Sequence, residues 1–491
     1  MKEKFNNQIH GLPGDLPSTI LVIFGATGDL ALHYLLPTLL HMDSKGLLPK
    51  TFYLVCVGRR DFTQDNFLDF VMQAQSGKRP DKKALAHFAK HLIYYRGNFD
   101  EPKSFADLNK IIADRKLGGS RHLCYNRLYY FATAPKFFQP IAKILQREGL
   151  LMGCTEHHRT VRVLVEKPFG MDLASARSLN RLLLKFFSED QIYRIDHYLG
   201  KETVQNLFVA RFANDFLEPI WNSRYIDYVE ISALEAESVG SRANFYNASG
   251  AMRDFVQNHL LNMLALVAME QPNSLDSQDI RGQKVKVLRS LQLCAPRLVS
   301  EQVVRGQYRG YTKDVRKSSR TETFVAIKAL LNLPRWKHVP FYLRTGKALK
   351  KKVTEISVHF KKQAGNLFVG RKRQPNVLTF RIQPDEQVRL QINNKIPGFG
   401  VRLHRGNLEF GYKANFSAEI PGAYERLLLD FMEGDQRLFI HSDEIEAAWK
   451  FIDNIRKHWG KVPLELYSQR SAGPKAAEKL IKRDGRQWWT K

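Results

Sequence analysis

Residues 20–24, Ile-Leu-Val-Ile-Phe, form an unbroken apolar run that ends in Gly25-Ala26-Thr27-Gly28-Asp29 and passes directly into a helical pattern. A short run without polar alternation reads as a strand buried on both faces, and such strands belong to parallel sheets covered by helices. The pattern recurs. Tyr53–Val57 stops at Gly58-Arg59-Arg60, Leu128–Thr133 precedes Pro135, and Val161–Val165 leads into Glu166-Lys167-Pro168-Phe169-Gly170. Apolar strands alternating with amphipathic helices predict an α/β unit. Beyond about residue 200 the alternation changes to period two, over 228–233, 354–360, 377–382 and 388–392, which predicts an α+β unit with a large, mainly antiparallel sheet.

The turn after the first strand has small residues at Gly25, Gly28 and Ala31. Small residues there let backbone approach a pyrophosphate, and the helix N-terminus offers it free N–H groups. An ordinary strand–helix turn has the same spacing, so the order of strands carries the dinucleotide reading. At the end of the next strand an acid would bind a free ribose 2′-hydroxyl, whereas Arg59 and Arg60 suit a 2′-phosphate. NADP is favoured over NAD, with two solvated arginines as the plain alternative and Asp61 as the residue that blurs the choice.

Three further segments hold candidate chemistry. Arg194–Glu202 packs Asp196, His197, Tyr198 and Lys201 together before an amphipathic helix; it suits a phosphate, or is a polar surface turn. Met252, Val256, His259, Met263 and Leu266 recur at three and four residues, so His259 lies on the apolar stripe of a helix. A histidine there is more often a satisfied core residue than a catalyst, unless a carboxylate meets it in the fold. Arg344–Lys352 follows a predicted strand at 340–343 and reads either as a solvated charge run or as an anchor for a sugar phosphate.

The chain has 491 residues and a formal net charge of +27, with 22 bases against 6 acids between 301 and 400. A field of that sign concentrates anions. Nonspecific nucleic-acid binding is therefore an alternative role for the basic stretch 347–373, although only Phe360 and Phe368 are interleaved there. Four cysteines, Cys56, Cys124, Cys154 and Cys294, form no CxxC pair, which argues against a disulfide framework or a thiolate metal site. No segment approaches the ~20 apolar residues of a membrane span, and the first twenty residues lack a signal-peptide core. The expectation is a cytoplasmic protein without a bound metal.

Taken together, these segments resemble glucose-6-phosphate dehydrogenases. The likeness runs from about residue 18 to 489 and rests on GATGDLA at 25–31, EKPFG at 166–170, RIDHYLGKETVQN at 194–206 and SGAMRDFVQNHLLNMLALVAME at 249–270. RGQY at 305–308, TETF at 321–324, VPFYLRTGKAL at 339–349, YERLLLD at 424–430 and FIHSDEIEAAW at 439–449 follow in order. The resemblance implies a Rossmann-type coenzyme domain over 1–198 and a β+α domain over 199–491 that binds substrate and pairs subunits into a homodimer or homotetramer. It implies oxidation of the C1 hydroxyl of glucose 6-phosphate to the 6-phospho-1,5-lactone with hydride transfer to NADP, the first oxidative step of the pentose phosphate pathway.

By the same resemblance His259 is the base and Asp196 orients it. Gly25, Thr27, Gly28, Asp29, Leu30 and Arg59 line the coenzyme, and Lys167 bridges coenzyme and substrate. His197, Tyr198, Lys201 and Lys352 hold the phosphate; Glu235, Asn247 and Lys347 bind sugar hydroxyls. Two positions depart from the family: Tyr34 stands where a lysine is usual and Asn247 where an aspartate is usual. Losing a charged partner at Asn247 is expected to weaken sugar binding by about 1–2 kcal/mol, raising KM roughly five- to thirtyfold. The alternative is a weakened member that binds ligand or partners without efficient turnover.

Overall fold

The computed structural model describes residues 16–74, 81–99, 101–113, 125–152, 160–362, 367–368, 373–416 and 419–489. Cys124, Cys154, the N-terminal arm and the Arg371-Lys372 part of the basic stretch lie outside the described residues. Cys56 and Cys294 are free thiols, both buried. Contacts divide the chain into two compact units. The first comprises 1–170, 177–200 and 422–441, and the second 171–176, 201–421 and 442–491. The expected division at 198/199 is a single cut, whereas two short segments cross it: 171–176 joins the second unit and 422–441 returns to the first.

The first unit is built on six parallel strands: β1 (Thr19–Phe24), β2 (Phe52–Gly58), β3 (Leu92–Arg96), β4 (Asn126–Phe131), β5 (Val161–Val165) and β6 (Ile192–Arg194). Their order is β3-β2-β1-β4-β5-β6. All six residues of β1 are buried, as the unbroken apolar run predicts. The returning helix Ala423–Glu433 supplies Leu427, Leu428 and Phe431 to the same core as Leu21, Ile23 and Leu128. Strand order reverses between β1 and β4, and the crevice at such a reversal, beyond the carboxyl ends of the strands, is where open α/β sheets take ligands.

The second unit is built on nine strands: β7 (Ile226–Leu234), β8 (Val303–Tyr308), β9 (Phe324–Ala329), β10 (Phe341–Gly346), β11 (Val353–Phe360), β12 (Val377–Gln383), β13 (Gln387–Lys395), β14 (Leu403–Gly411) and β15 (Leu464–Tyr467). The order is β14-β13-β12-β11-β7-β10-β9-β8-β15. Pairing is antiparallel except for β7 with β10 and β8 with β15, so the sheet is mixed. These strands bury charge: Arg344 and Glu230 are 2% and 1% exposed. Arg344 donates to Glu230 at 3.0 Å and to Ser232 at 2.9 Å, and its guanidinium lies 4.1 Å from the ring centre of Trp488. The last described residues are tied in by the Trp489 N–H, which donates to Glu230 at 2.7 Å.

Candidate active site

In the first unit the loop after β1 is shaped by close approach. Gly25 has φ +94°, and a Cβ there would come within 2.7 Å of the Ala132 carbonyl oxygen. The N–H groups of Gly25 and Ala26 both donate to the Val57 carbonyl at 3.0 Å, locking the turn against β2. Gly58 is equally constrained, since a Cβ would meet Tyr94 and Thr27 below 3 Å. The result is a cavity of about 480 Å³ lined by Gly25, Thr27, Gly28, Gly58, Arg59, Arg60, Phe99 and the 132–134 turn after β4. Thr133 Oγ1 is buried in that lining with no hydrogen-bond partner among the described residues. Such an orphaned hydroxyl beside a glycine-walled cradle fits a polar ligand.

Asp61 is engaged elsewhere: Arg96 donates to it at 2.9 Å. Arg60 lies over the Phe70 ring at 4.9 Å. Arg59 is exposed and lines the cavity, where a 2′-phosphate would meet a cation. The competition between Arg59 and Asp61 was not decidable from adjacent residues, because the deciding partner lies thirty-five positions away.

The loops after β5 and β6 hold the next group. Lys167 precedes a cis peptide to Pro168. Glu166 accepts from the Tyr130 hydroxyl at 2.7 Å and from Tyr424 at 3.3 Å. Desolvation pushes its carboxyl up to about 7, against the hydrogen bonds from Tyr130 and Tyr424 and the charge of Lys167. Asp196 is 2% exposed and its Oδ1 accepts the Tyr198 N–H at 3.0 Å, which fixes the carboxylate at the start of the turn. The His197 ring lies parallel to the Tyr424 ring at 6.2 Å, and Tyr34 packs on the other ring contact of Tyr424 at 5.7 Å. Tyr424 is visible in the sequence only as part of a block, since its partners Tyr34, Glu166 and His197 come from three distant segments.

In the second unit His259 is 1% exposed. It lies in a wider-turned π-helical stretch, Met252–Leu260, that continues as the α-helix Leu261–Ala268. Predicted spacing was that of a regular helix; the broader turn is a feature often found at functional sites. Two residues before this stretch is Gly250, φ 70°, where a Cβ would clash with the Glu322 carboxylate. Glu322 accepts from the Met252 N–H at 3.1 Å, and burial raises its pKa. It anchors the helix that carries His259, a role missed in the TETF block because nothing local links it to residue 252.

Phe255 meets His259 edge to face at 5.1 Å, and Lys347 Nζ lies 5.8 Å from the Phe255 ring and 5.4 Å from the Tyr246 ring. Lys347 pairs with Glu235 at 2.5 Å. Imidazole, ammonium and carboxylate therefore share one partly apolar neighbourhood, together with the buried Asp254. The charge run splits here: Arg344 and Ala348 are buried, Lys347 is half-buried, and Lys350 and Lys351 are exposed. Lys352 pairs with Glu237 at 3.1 Å, both mostly exposed. Lys201 donates to Gln383. Asn247 Oδ1 accepts from Ser319 at 2.6 Å and from Tyr311 at 3.2 Å.

Comparison with known proteins covers nearly the whole chain. The family model for the NAD binding domain of glucose-6-phosphate dehydrogenase matches residues 22–206, and that for its C-terminal domain matches 208–489. Curated glucose-6-phosphate 1-dehydrogenases from Chlamydia pneumoniae and Bacillus subtilis (strain 168) are each 41% identical, covering 97% and 96% of this chain and 97% and 98% of their own. The crystal structure of the Mycobacterium avium enzyme superposes with a TM-score of 0.85 at 37% identity, covering 97% of this chain and 99% of that one. A glucose-6-phosphate dehydrogenase in complex with glucose 6-phosphate does so at 0.88 and 30%, with the same coverage. The chain belongs to the glucose-6-phosphate dehydrogenase family.

Proposed function

We propose that the protein oxidises the C1 hydroxyl of glucose 6-phosphate to 6-phosphoglucono-1,5-lactone with NADP as hydride acceptor. The observation that carries this reading is the fully buried His259 beside Phe255 and the Lys347–Glu235 pair. An imidazole held out of water next to sugar-binding polar groups is placed to take the proton of an alcohol. Asp196 is its orienting acid, keeping the tautomer and stabilising the imidazolium. His197, Tyr198, Lys201 and Lys352 take the phosphate, and Lys347 and Glu235 take ring hydroxyls, with Asn247 contributing through the Ser319–Tyr311 cluster it holds together. Lys167 serves both coenzyme and substrate.

The coenzyme fits the cradle walled by Gly25, Thr27 and Gly28, with Asp29 and Leu30 opening the helix, Thr133 Oγ1 available to it and Arg59 matched to a 2′-phosphate. When bound, its nicotinamide accepts the hydride that leaves C1. Both curated relatives are named for the enzyme, so the alternative of a chain that binds without efficient turnover gains no support from them. Self-association as a homodimer or homotetramer is favoured by the outermost strands, where Leu408 and Phe410 on β14 and Phe399 before it are exposed. No helix among the described residues is long and apolar enough to cross a membrane, and we place the protein in the cytoplasm. A steady-state assay with glucose 6-phosphate against NADP and NAD tests the reading. Wild type should reduce NADP and His259→Ala should not; equal rates for the two would refute it.

A further inference from the structure

We propose that Asp43, His87 and His91 form a binding site for one divalent transition-metal ion of the Zn²⁺ class, at the edge of the first unit's sheet and separate from the coenzyme cavity. One ligand atom from each lies within 4.8 Å of the other two. The three come from different places in the chain: Asp43 near the end of the helix Leu36–Ser44, His87 in the last turn of the helix Lys82–Ala89, and His91 just before β3. His87 and His91 are four residues apart, and their rings meet edge to face at 5.0 Å. Two imidazoles and a carboxylate form the borderline nitrogen and oxygen set that selects Zn²⁺ and its neighbours over Mg²⁺ or Ca²⁺.

The second shell is already in place. His91 Nδ1–H donates to the carbonyl oxygen of Phe52 at 3.1 Å, while the His91 carbonyl accepts the Leu54 N–H at 2.8 Å. That contact commits Nδ1 to a backbone carbonyl and leaves Nε2 as the ligand atom, as metal-bound histidines are usually held by a carbonyl or carboxylate. Asp43 and His87 are 2.8 Å apart through Oδ2 and Nδ1. Tetrahedral coordination with bonds of about 2.0–2.1 Å separates ligand atoms by about 3.4 Å, so side-chain adjustments below or near 1 Å suffice. The Asp43 side chain is 7% exposed and that of His87 60%, which gives a fixed anion on the inside and an open path and water position on the outside. A simple His87–Asp43 ion pair accounts for two of these groups; His91, held by Phe52, stands beside them as the third. Bound metal would clip the helix that follows the Gly25–Gly28 loop to the start of β3.

The test uses the full-length protein, stripped with a chelator and titrated with Zn²⁺ by calorimetry and with Co²⁺ by visible absorption. Wild type should bind one equivalent more tightly by at least tenfold than His87→Ala or His91→Gln, with a Zn²⁺-dependent rise in Tm that both variants lose. His87→Ala removes a mostly exposed side chain and should fold normally, so an effect there is not a folding artefact. Equal Zn²⁺ stoichiometry, affinity and Co²⁺ spectra in wild type and His87→Ala would overturn the proposal. Loss in His87→Ala but not in His91→Gln would also overturn it, leaving only the ion pair.

Discussion

The two sheets solve the burial problem differently. The six-stranded sheet fills its central strands mainly with aliphatic and aromatic residues, holds buried Arg194 of β6 against Glu189 at 2.6 Å, and lines its cavity with backbone at glycines where nothing larger fits. The nine-stranded sheet buries more charge inside its strands: Arg344 is satisfied by Glu230 and Ser232, whereas Glu355 lies 3.7 Å from Arg381 with its Oε1 without a hydrogen bond among the described residues. The glycine-walled cradle of the first unit is therefore built largely from main chain, whereas the Lys347–Glu235 neighbourhood of the second is built from side chains. A buried polar network is costly when half-satisfied, so damage in the second unit should be larger and more specific than damage at the rim of the first.

The sharpest break in that comparison is at His259. His259→Ala should lower kcat with glucose 6-phosphate by roughly 10²–10⁴-fold, the range for a positioned base, with a much smaller change in coenzyme KM. Next comes Arg344→Met, which leaves Glu230 uncompensated and should cost about 3–5 kcal/mol in thermal or denaturant unfolding. Leu21→Ala in β1 should cost a similar 2–5 kcal/mol by leaving a cavity. The causes separate in a second step. Adding Glu230→Gln to Arg344→Met should recover much of the loss, because the orphaned charge is gone. If the double variant is as unstable as the single one, buried charge is not what distinguishes this sheet.

At the rim of the first unit the effect should be smaller. Arg59→Ala should raise KM for NADP about tenfold and leave KM for NAD unchanged, since only a 2′-phosphate contact is lost. An equal rise for both coenzymes would mean that Arg59 shapes the loop instead of reading the phosphate.

These contrasts also explain what the sequence made legible. β1, β2, β5 and the Gly25–Gly28 turn were readable because an unbroken apolar run and a small-residue spacing are local signals. His259 was found as a histidine on an apolar stripe, but Glu322, which caps its helix from seventy residues away, left no local trace. Asn247 was read as a sugar ligand because it follows Phe245-Tyr246; that Ser319 and Tyr311 occupy its oxygen is a tertiary fact. The run Arg344–Lys352 read as one charged stretch, although strand alternation and Trp488 divide it into buried and solvated halves. The returning segment 422–441 was invisible for the same reason: its apolar face matches many partners, and only packing selects the first unit's core.

A further effect is in pH dependence, and it has opposite signs at two buried groups, one in each unit. Glu166 in the first unit is raised by desolvation from the ordinary 4.5 to about 7. Between those values the folded chain holds a proton that the unfolded chain has released, so its contribution to stability falls as pH rises from 4.5 to 7 and is level above. His359 in the second unit is lowered by desolvation, and by Arg405 and Arg486, from 6.5 to about 3; it stacks on Tyr228 at 3.9 Å. There the unfolded chain binds the extra proton, so stability rises as pH goes from 3 to 6.5. Glu355 and Asp430 are also raised to about 7, so the wild-type curve alone does not separate the terms. Difference curves do. Relative to wild type, Glu166→Gln should gain Tm between pH 5 and 7, and His359→Gln should lose Tm over pH 5 to 6.5. Parallel curves for all three proteins would show that neither buried group titrates outside its ordinary range.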